Sequence, residues 1–231
     1  MLFRQLFDKE SSTYTYLVAD PHTREAILVD PVFENVARDI KLIKELNLIL
    51  KYCLETHIHA DHITGTGKLR ELTRCLGIIP KNEVIKCADR FIDDKETLLL
   101  GNTIIEAMYT PGHTDSHCSY LINQTLVLTG DALLIRGCGR TDFQSGDAGI
   151  LYDSVTMKLF NLPDEILVYP GHDYQGFTVS TIGEERKNNP RFTGVERKEF
   201  INLMSKIKLS QPSKIKQAIP INKNCGNILF S

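Results

Sequence analysis

Residues 56–62 read T-H-I-H-A-D-H, three histidines and an aspartate packed together directly after the apolar run Ile49 to Leu54. A run of that length with polar flanks is the pattern of a buried strand. The cluster therefore leaves a strand's C-terminal end, where open α/β sheets place their sites. Imidazole and carboxylate together suit zinc, iron and manganese. A lone histidine is ordinarily a satisfied core or surface residue. Four candidate ligands in one short loop would repel one another on protonation unless a cation sat among them. A metal site on a sheet edge is the first expectation.

The bulk properties exclude several alternatives. The 231 residues suffice for one large domain or a domain with a small appendage. Hydrophobic residues at 42% and charged residues at 24% are ordinary for a globular chain. A net charge of -2 and a pI near 6.4 leave no footprint for nucleic acid or an acidic membrane surface. No apolar run approaches the length of a membrane span. The N-terminus M-L-F-R-Q-L-F-D lacks the basic-then-apolar order of a secretory signal. The six cysteines form no C-x-x-C pair, and most lie in apolar stretches. They are expected to be reduced, buried thiols. A cytoplasmic location follows as an expectation.

Along the chain, Tyr14 to Ala19 and Glu25 to Val29 read as strands joined by the turn Asp20-Pro21-His22-Thr23. Val36, Ile40, Ile43 and Leu46 recur at helical spacing. After the metal loop, Lys68 to Leu76 reads as a helix with Gly77 as its stop. The middle is strand-rich, with Thr103 to Tyr109, Cys118 to Ile122 and Leu126 to Thr129. A helix is expected over Ile150 to Leu162, a strand over Ile166 to Tyr169 and a helix over Lys198 to Ile207. With no linker or repeat evident, residues 1–231 are expected to form a single domain, with a short C-terminal extension over about 184–231.

Three further segments repeat the pattern of the first. T-P-G-H-T ends in His113 and Thr114 after one strand, L-T-G-D presents Asp131 after another, and Y-P-G-H-D-Y carries His172 after a third. In each a glycine lies beside the candidate ligand and allows a sharp turn into a crowded site. Singly, each is more simply a turn residue. Four strand ends that all deliver His or Asp form a convergent set.

These ordered motifs resemble those of the metallo-β-lactamase superfamily, over roughly residues 10 to 190. The resemblance implies an α/β fold, an αββα sandwich of the metallo-β-lactamase type with metal between the upper edges of two sheets. By the general pattern His57, His59 and His113 would hold one metal, and Asp61, His62 and His172 a second, with Asp131 bridging. All seven positions are present, so ligand counting leaves one metal and two open. The stretch D-A-L-L-I-R-G-C-G-R-T-D-F-Q (131–144), together with S-V-T-M-K-L-F, G-H-D-Y-Q-G-F-T-V-S-T and N-K-N-C-G, closely resembles the persulfide dioxygenases. That likeness implies one Fe(II) per chain, held by His57, His113 and Asp131, while His59, Asp61, His62 and His172 surround the metal without binding it. Two imidazoles and a carboxylate on one face of iron leave opposite positions open for substrate and O2.

The same likeness implies that Arg140, after the G-C-G turn, and Tyr174 contact glutathione. A planar guanidinium and a phenol suit its carboxylates and amides. On the residues alone, a lone arginine is by default a solvated charge. Cys138 reads as a small residue in a tight turn, not a nucleophile. The function implied is a glutathione-dependent persulfide dioxygenase, an enzyme that oxidises glutathione persulfide with O2 to sulfite and glutathione. A homodimer is expected only from the family likeness. The alternative is a glyoxalase II-type hydroxyacylglutathione thioesterase with a dinuclear site. It is disfavoured by the T-D-F-Q continuation and by the short tail from Asp173 to Ser231.

Overall fold

A computed structural model describes residues 1–81, 85, 87–212 and 214–227. Within the expected extension, residues 213 and 228–231 lie outside the described residues. The chain divides into two compact units, Met1–Ile92 with Leu98–Ile104 and Gln211–Ser231, and Asp93–Thr97 with Ile105–Ser210.

The first unit is built on a six-stranded sheet in the order β1 (Leu2–Phe7), β2 (Tyr14–Ala19), β3 (Glu25–Val29), β4 (Ile49–Leu54), β5 (Leu76–Pro80), β6 (Arg90–Ile92). Its first three strands are antiparallel neighbours, and β3 to β6 run parallel. Helices α1 (Val36–Glu45) and α2 (Thr66–Thr73) make the parallel crossovers from β3 to β4 and from β4 to β5. Their apolar faces, with Val36, Ile43 and Leu69, join Leu17, Leu28, Leu50 and Cys53 in one buried cluster. Each such side chain removed from water stabilises the fold by about 1.5–3 kcal/mol. Strand β2 is buried at all six positions, so both of its faces are covered. Because Val29 pairs with Leu54 in parallel register, Asp30 and the Glu55–His62 loop emerge side by side.

The second sheet has the order β12 (Ser180–Thr181), β11 (Leu167–Pro170), β10 (Leu126–Gly130), β9 (Cys118–Ile122), β8 (Thr103–Tyr109), β7 (Thr97–Leu100). Strand β10 is parallel to β11 and antiparallel to β9, which is antiparallel to β8. Strands β8, β10 and β11 therefore point the same way and deliver their C-terminal loops to one edge. Helices α3 (Ala148–Met157), α4 (Ile182–Asn188) and α5 (Arg197–Lys206) supply Leu151, Val155, Ile182 and Phe200 to a cluster with Val127 and Val168.

Several boundaries differ from expectation. The helix read over Lys68 to Leu76 ends at Thr73, because Arg74 turns left-handed (φ 62°), and Gly77 lies inside strand β5. The helix read over Ile150 to Leu162 begins at Ala148, where the Asp147 side chain accepts the Ile150 N–H. It ends at Met157, before a single 3-10 turn at Leu159–Asn161.

The cysteine expectation also needs correction. Cys87 and Cys225 form a disulfide, with Cα atoms 5.9 Å apart. The other four cysteines are free thiols. The bridge joins positions 138 residues apart, a pairing that no local spacing announces. No helix among the described residues is long and apolar enough to cross a membrane.

Candidate metal centre

In the first unit the metal loop hangs from Asp30. Its carboxylate accepts the Thr56 N–H (2.7 Å) and the Thr56 hydroxyl (2.8 Å). With that proton given to Asp30, the hydroxyl oxygen at 2.9 Å accepts from Nδ1–H of His57, which makes Nε2 the ring's unprotonated nitrogen. His57 is 2% exposed.

His59 turns elsewhere. Its Nε2 lies 3.0 Å from Asp30 and 3.5 Å from Glu55, an ion-pair arrangement without an aligned hydrogen bond. Burial disfavours its charge. Asp30 and Glu55 more than offset that, and they hold the imidazolium well above the usual histidine range. Glu55 in turn accepts the hydroxyls of Thr64 and Thr66, each at 2.5 Å. His62 Nδ1 meets Asp61 at 2.9 Å, and Asp61 also accepts from Thr13 at 3.1 Å. The rings of His57, His59 and His62 follow one another at centroid distances of 4.2 and 4.4 Å.

In the second unit three strand ends converge. His113 Nδ1–H donates to the Arg140 carbonyl (2.7 Å), so Nε2 is its unprotonated nitrogen and lies 3.5 Å from Asp131 Oδ2. The other oxygen, Asp131 Oδ1, meets His172 Nδ1 at 2.7 Å. One nitrogen and one oxygen thus present lone pairs to each other across a gap that suits a shared cation. The Asp131 N–H donates to His117 Nε2 at 3.0 Å, and His117 Nδ1 meets the Thr110 hydroxyl at 3.0 Å. The glycines here give space. A Cβ at Gly139 would lie 2.4 Å from the Asp131 carbonyl and 2.7 Å from His113 Nδ1, and one at Gly171 would lie 2.7 Å from Asp131 Oδ1.

Both residues read as glutathione contacts belong to this unit. Arg140 spans the Asp142 carboxylate with two bonds (2.6 and 2.7 Å), donates to the carbonyls of Ser210 and Leu209, and lies 4.6 Å over the Phe143 ring. Tyr174 is 72% exposed and stacks on His172 at 6.0 Å. Cys138 directly follows a tight turn in which Leu134 and Gly137 exchange backbone hydrogen bonds, and burial pushes its thiol up to about 12. That thiol is no nucleophile near neutral pH.

Each unit therefore gathers its own ligand candidates, His57, His59, Asp61 and His62 in the first and His113, Asp131 and His172 in the second. Asp30, Glu55 and His117 escaped the sequence reading. Asp30 directly follows strand β3 and has a left-handed backbone (φ 50°), which fits a specialised position. His117, four residues beyond His113, was the available signal for the support under Asp131.

The metallo-β-lactamase superfamily model matches residues 8–172. The human mitochondrial persulfide dioxygenase ETHE1 is 48% identical over 228 residues, covering 98% of this chain and 89% of that protein. The crystal structure of ETHE1 from Myxococcus xanthus is 51% identical, with a TM-score of 0.95, and covers 98% of this chain and 100% of its own. A probable hydroxyacylglutathione hydrolase of Schizosaccharomyces pombe is 33% identical over 85% of this chain and 89% of its own length.

Proposed function

The chain belongs to the metallo-β-lactamase superfamily and, within it, to the persulfide dioxygenases, and from that premise we propose that it oxidises glutathione persulfide with O2 and water to sulfite and glutathione. Its fold is that of the superfamily. The observation that carries the reading is identity near one half along almost the whole chain with persulfide dioxygenases, against one third with the thioesterase relative.

In this reading His57, His113 and Asp131 hold one Fe(II) per chain. The donor set fits: two neutral imidazoles, each with its other nitrogen committed to an oxygen, and one carboxylate. Iron so held supplies the activation of O2 needed for oxygen transfer to the persulfide sulfur. The protein's own part is orientation. Thr56 and the Arg140 carbonyl fix the two histidine tautomers, and His172 fixes Asp131. His59, Asp61 and His62 are placed beside the metal and not on it, with His59 facing Asp30 and Glu55 and His62 Nδ1 facing Asp61. Arg140 and Tyr174 anchor the peptide of glutathione, with Arg140 exchanging Asp142 for a substrate carboxylate. A single-domain organisation, a cytoplasmic location and a homodimer are parts of the same proposal.

Metal analysis of protein made without chelator tests it. One iron per chain is expected, and His59→Ala should keep most of it while His57→Ala loses it. Two metals per chain, or metal loss from His59→Ala as complete as from His57→Ala, would replace this reading with the dinuclear thioesterase.

A further inference from the structure

The segment around Asn222 has no part in the function above, yet it grips the metal loop. Asn222 ends helix α6 (Ile215–Asn222) and is 2% exposed. Its amide nitrogen donates to the carbonyls of His59 (2.9 Å) and His62 (2.8 Å), and its amide oxygen accepts the Thr64 N–H (2.9 Å). Two amide hydrogens and one oxygen are thus spent on a single loop. The approach is close throughout: a Cβ at Gly226 would lie 2.2 Å from the Thr64 carbonyl, and one at Gly67 would lie 2.5 Å from the Cys225 carbonyl. Asn222 and Cys225 also line a cavity of about 10 Å³, room for about one water, together with His57 and His59.

Two ties hold this segment. At the start of α6, Lys214 pairs with Glu10 (2.8 Å) and Glu34 (3.0 Å). At its end the Cys87–Cys225 disulfide is the covalent tie. Cys225 is 2% exposed, while Cys87 is half-buried.

We propose that the Cys87–Cys225 bridge is a redox latch on the metal loop, acting through Asn222 as a positioning residue. Closed, the bridge keeps Asn222 seated on the backbone of 59–64, next to the ligand His57. Opened, it frees the segment and loosens the loop. The opening step is ordinary exchange with a dithiol. One reagent sulfur attacks the Cys87 sulfur, the S–S bond breaks, and Cys225 leaves as a thiolate that takes a proton. The second reagent sulfur then displaces Cys87 as a thiol. Two electrons pass to the protein, and the reagent ends as a cyclic disulfide. The metal part of this inference rests on the function proposed above; the loop part does not.

Hydrogen exchange over residues 57–67 separates the two parts. It is measured on oxidised protein, on protein reduced with dithiothreitol and on Cys225→Ser, each both metal-stripped and iron-loaded. Reduction and Cys225→Ser should each speed exchange over 59–64 about ten-fold, even in stripped protein, with peptides of α3 and α5 unchanged. Loss of iron to a chelator should quicken by roughly 10–100-fold, the usual scale for a group that orients a metal ligand. Asn222→Ala should reproduce both effects and respond no further to dithiothreitol, since coupled groups are not additive. Unchanged loop exchange on reduction overturns the latch, as does an Asn222→Ala protein that keeps the full response. If that variant does not fold, the wild-type and Cys225→Ser comparison decides alone. A loop that loosens on reduction while iron retention stays constant keeps the latch and removes the loop from the metal site.

Discussion

His57, His113 and His172 each commit Nδ1 to an oxygen, that of the Thr56 hydroxyl, the Arg140 carbonyl and the Asp131 carboxylate respectively. Arg140 therefore serves twice, its backbone on His113 and its guanidinium on Asp142. The two roles are separable by mutation. Arg140→Ala keeps the carbonyl, so iron content and kcat should change little. KM for glutathione persulfide should rise about ten-fold, because one charge-assisted bond is worth about 1.5 kcal/mol at the low end and Asp142 already competes for the fork. Steady-state kinetics with the iron content measured on the same sample checks this. An unchanged KM would remove Arg140 from the substrate site.

At the scale of elements, the turn after β10 must pass between Asp131 and His113. Gly139 makes that passage and Gly137 does not: a Cβ at Gly137 would meet nothing closer than the Leu134 Cβ at 3.8 Å. Gly139→Ala is expected to cost about 1–3 kcal/mol through overpacking and to weaken iron retention, while Gly137→Ala is tolerated. Thermal melting and metal content of the two variants, compared side by side, test the geometry. If Gly137→Ala lost as much as Gly139→Ala, the close approach would not be what matters. Much at this scale was legible beforehand. Strands β2, β3, β4, β8 and β9 have the expected bounds, because their apolar runs are long and end at turn residues. The short outer strands β1, β6, β7 and β12 were missed, since each is half-exposed or only a few residues long. Helix α6 contains Pro220, which local reasoning counts against a helix. Helix α4 could have been found from Thr181 and Glu184, a hydroxyl cap three residues before a glutamate. The candidate ligands were readable because histidine and aspartate crowd into short loops. Asn222, which reaches the loop from 160 residues away, and the Cys87–Cys225 pairing left no local mark.

For the whole molecule the question is which chemistry a superfamily site with all seven ligand positions performs. Close relatives under one name span nearly the entire chain, and Thr56, the Arg140 carbonyl and His172 hold in fixed orientations the two imidazoles and the carboxylate proposed above to bind a single iron. A bridged hydroxide for thioester cleavage requires a second cation, whereas oxygen transfer requires one iron and O2. An oxygen electrode with iron-loaded protein separates the two directly. On addition of glutathione persulfide, O2 should be consumed with sulfite appearing in step, and the same sample without O2 should make no sulfite. S-lactoylglutathione should be hydrolysed slowly or not at all. Fast thioester cleavage with no persulfide-dependent O2 uptake would contradict the assignment.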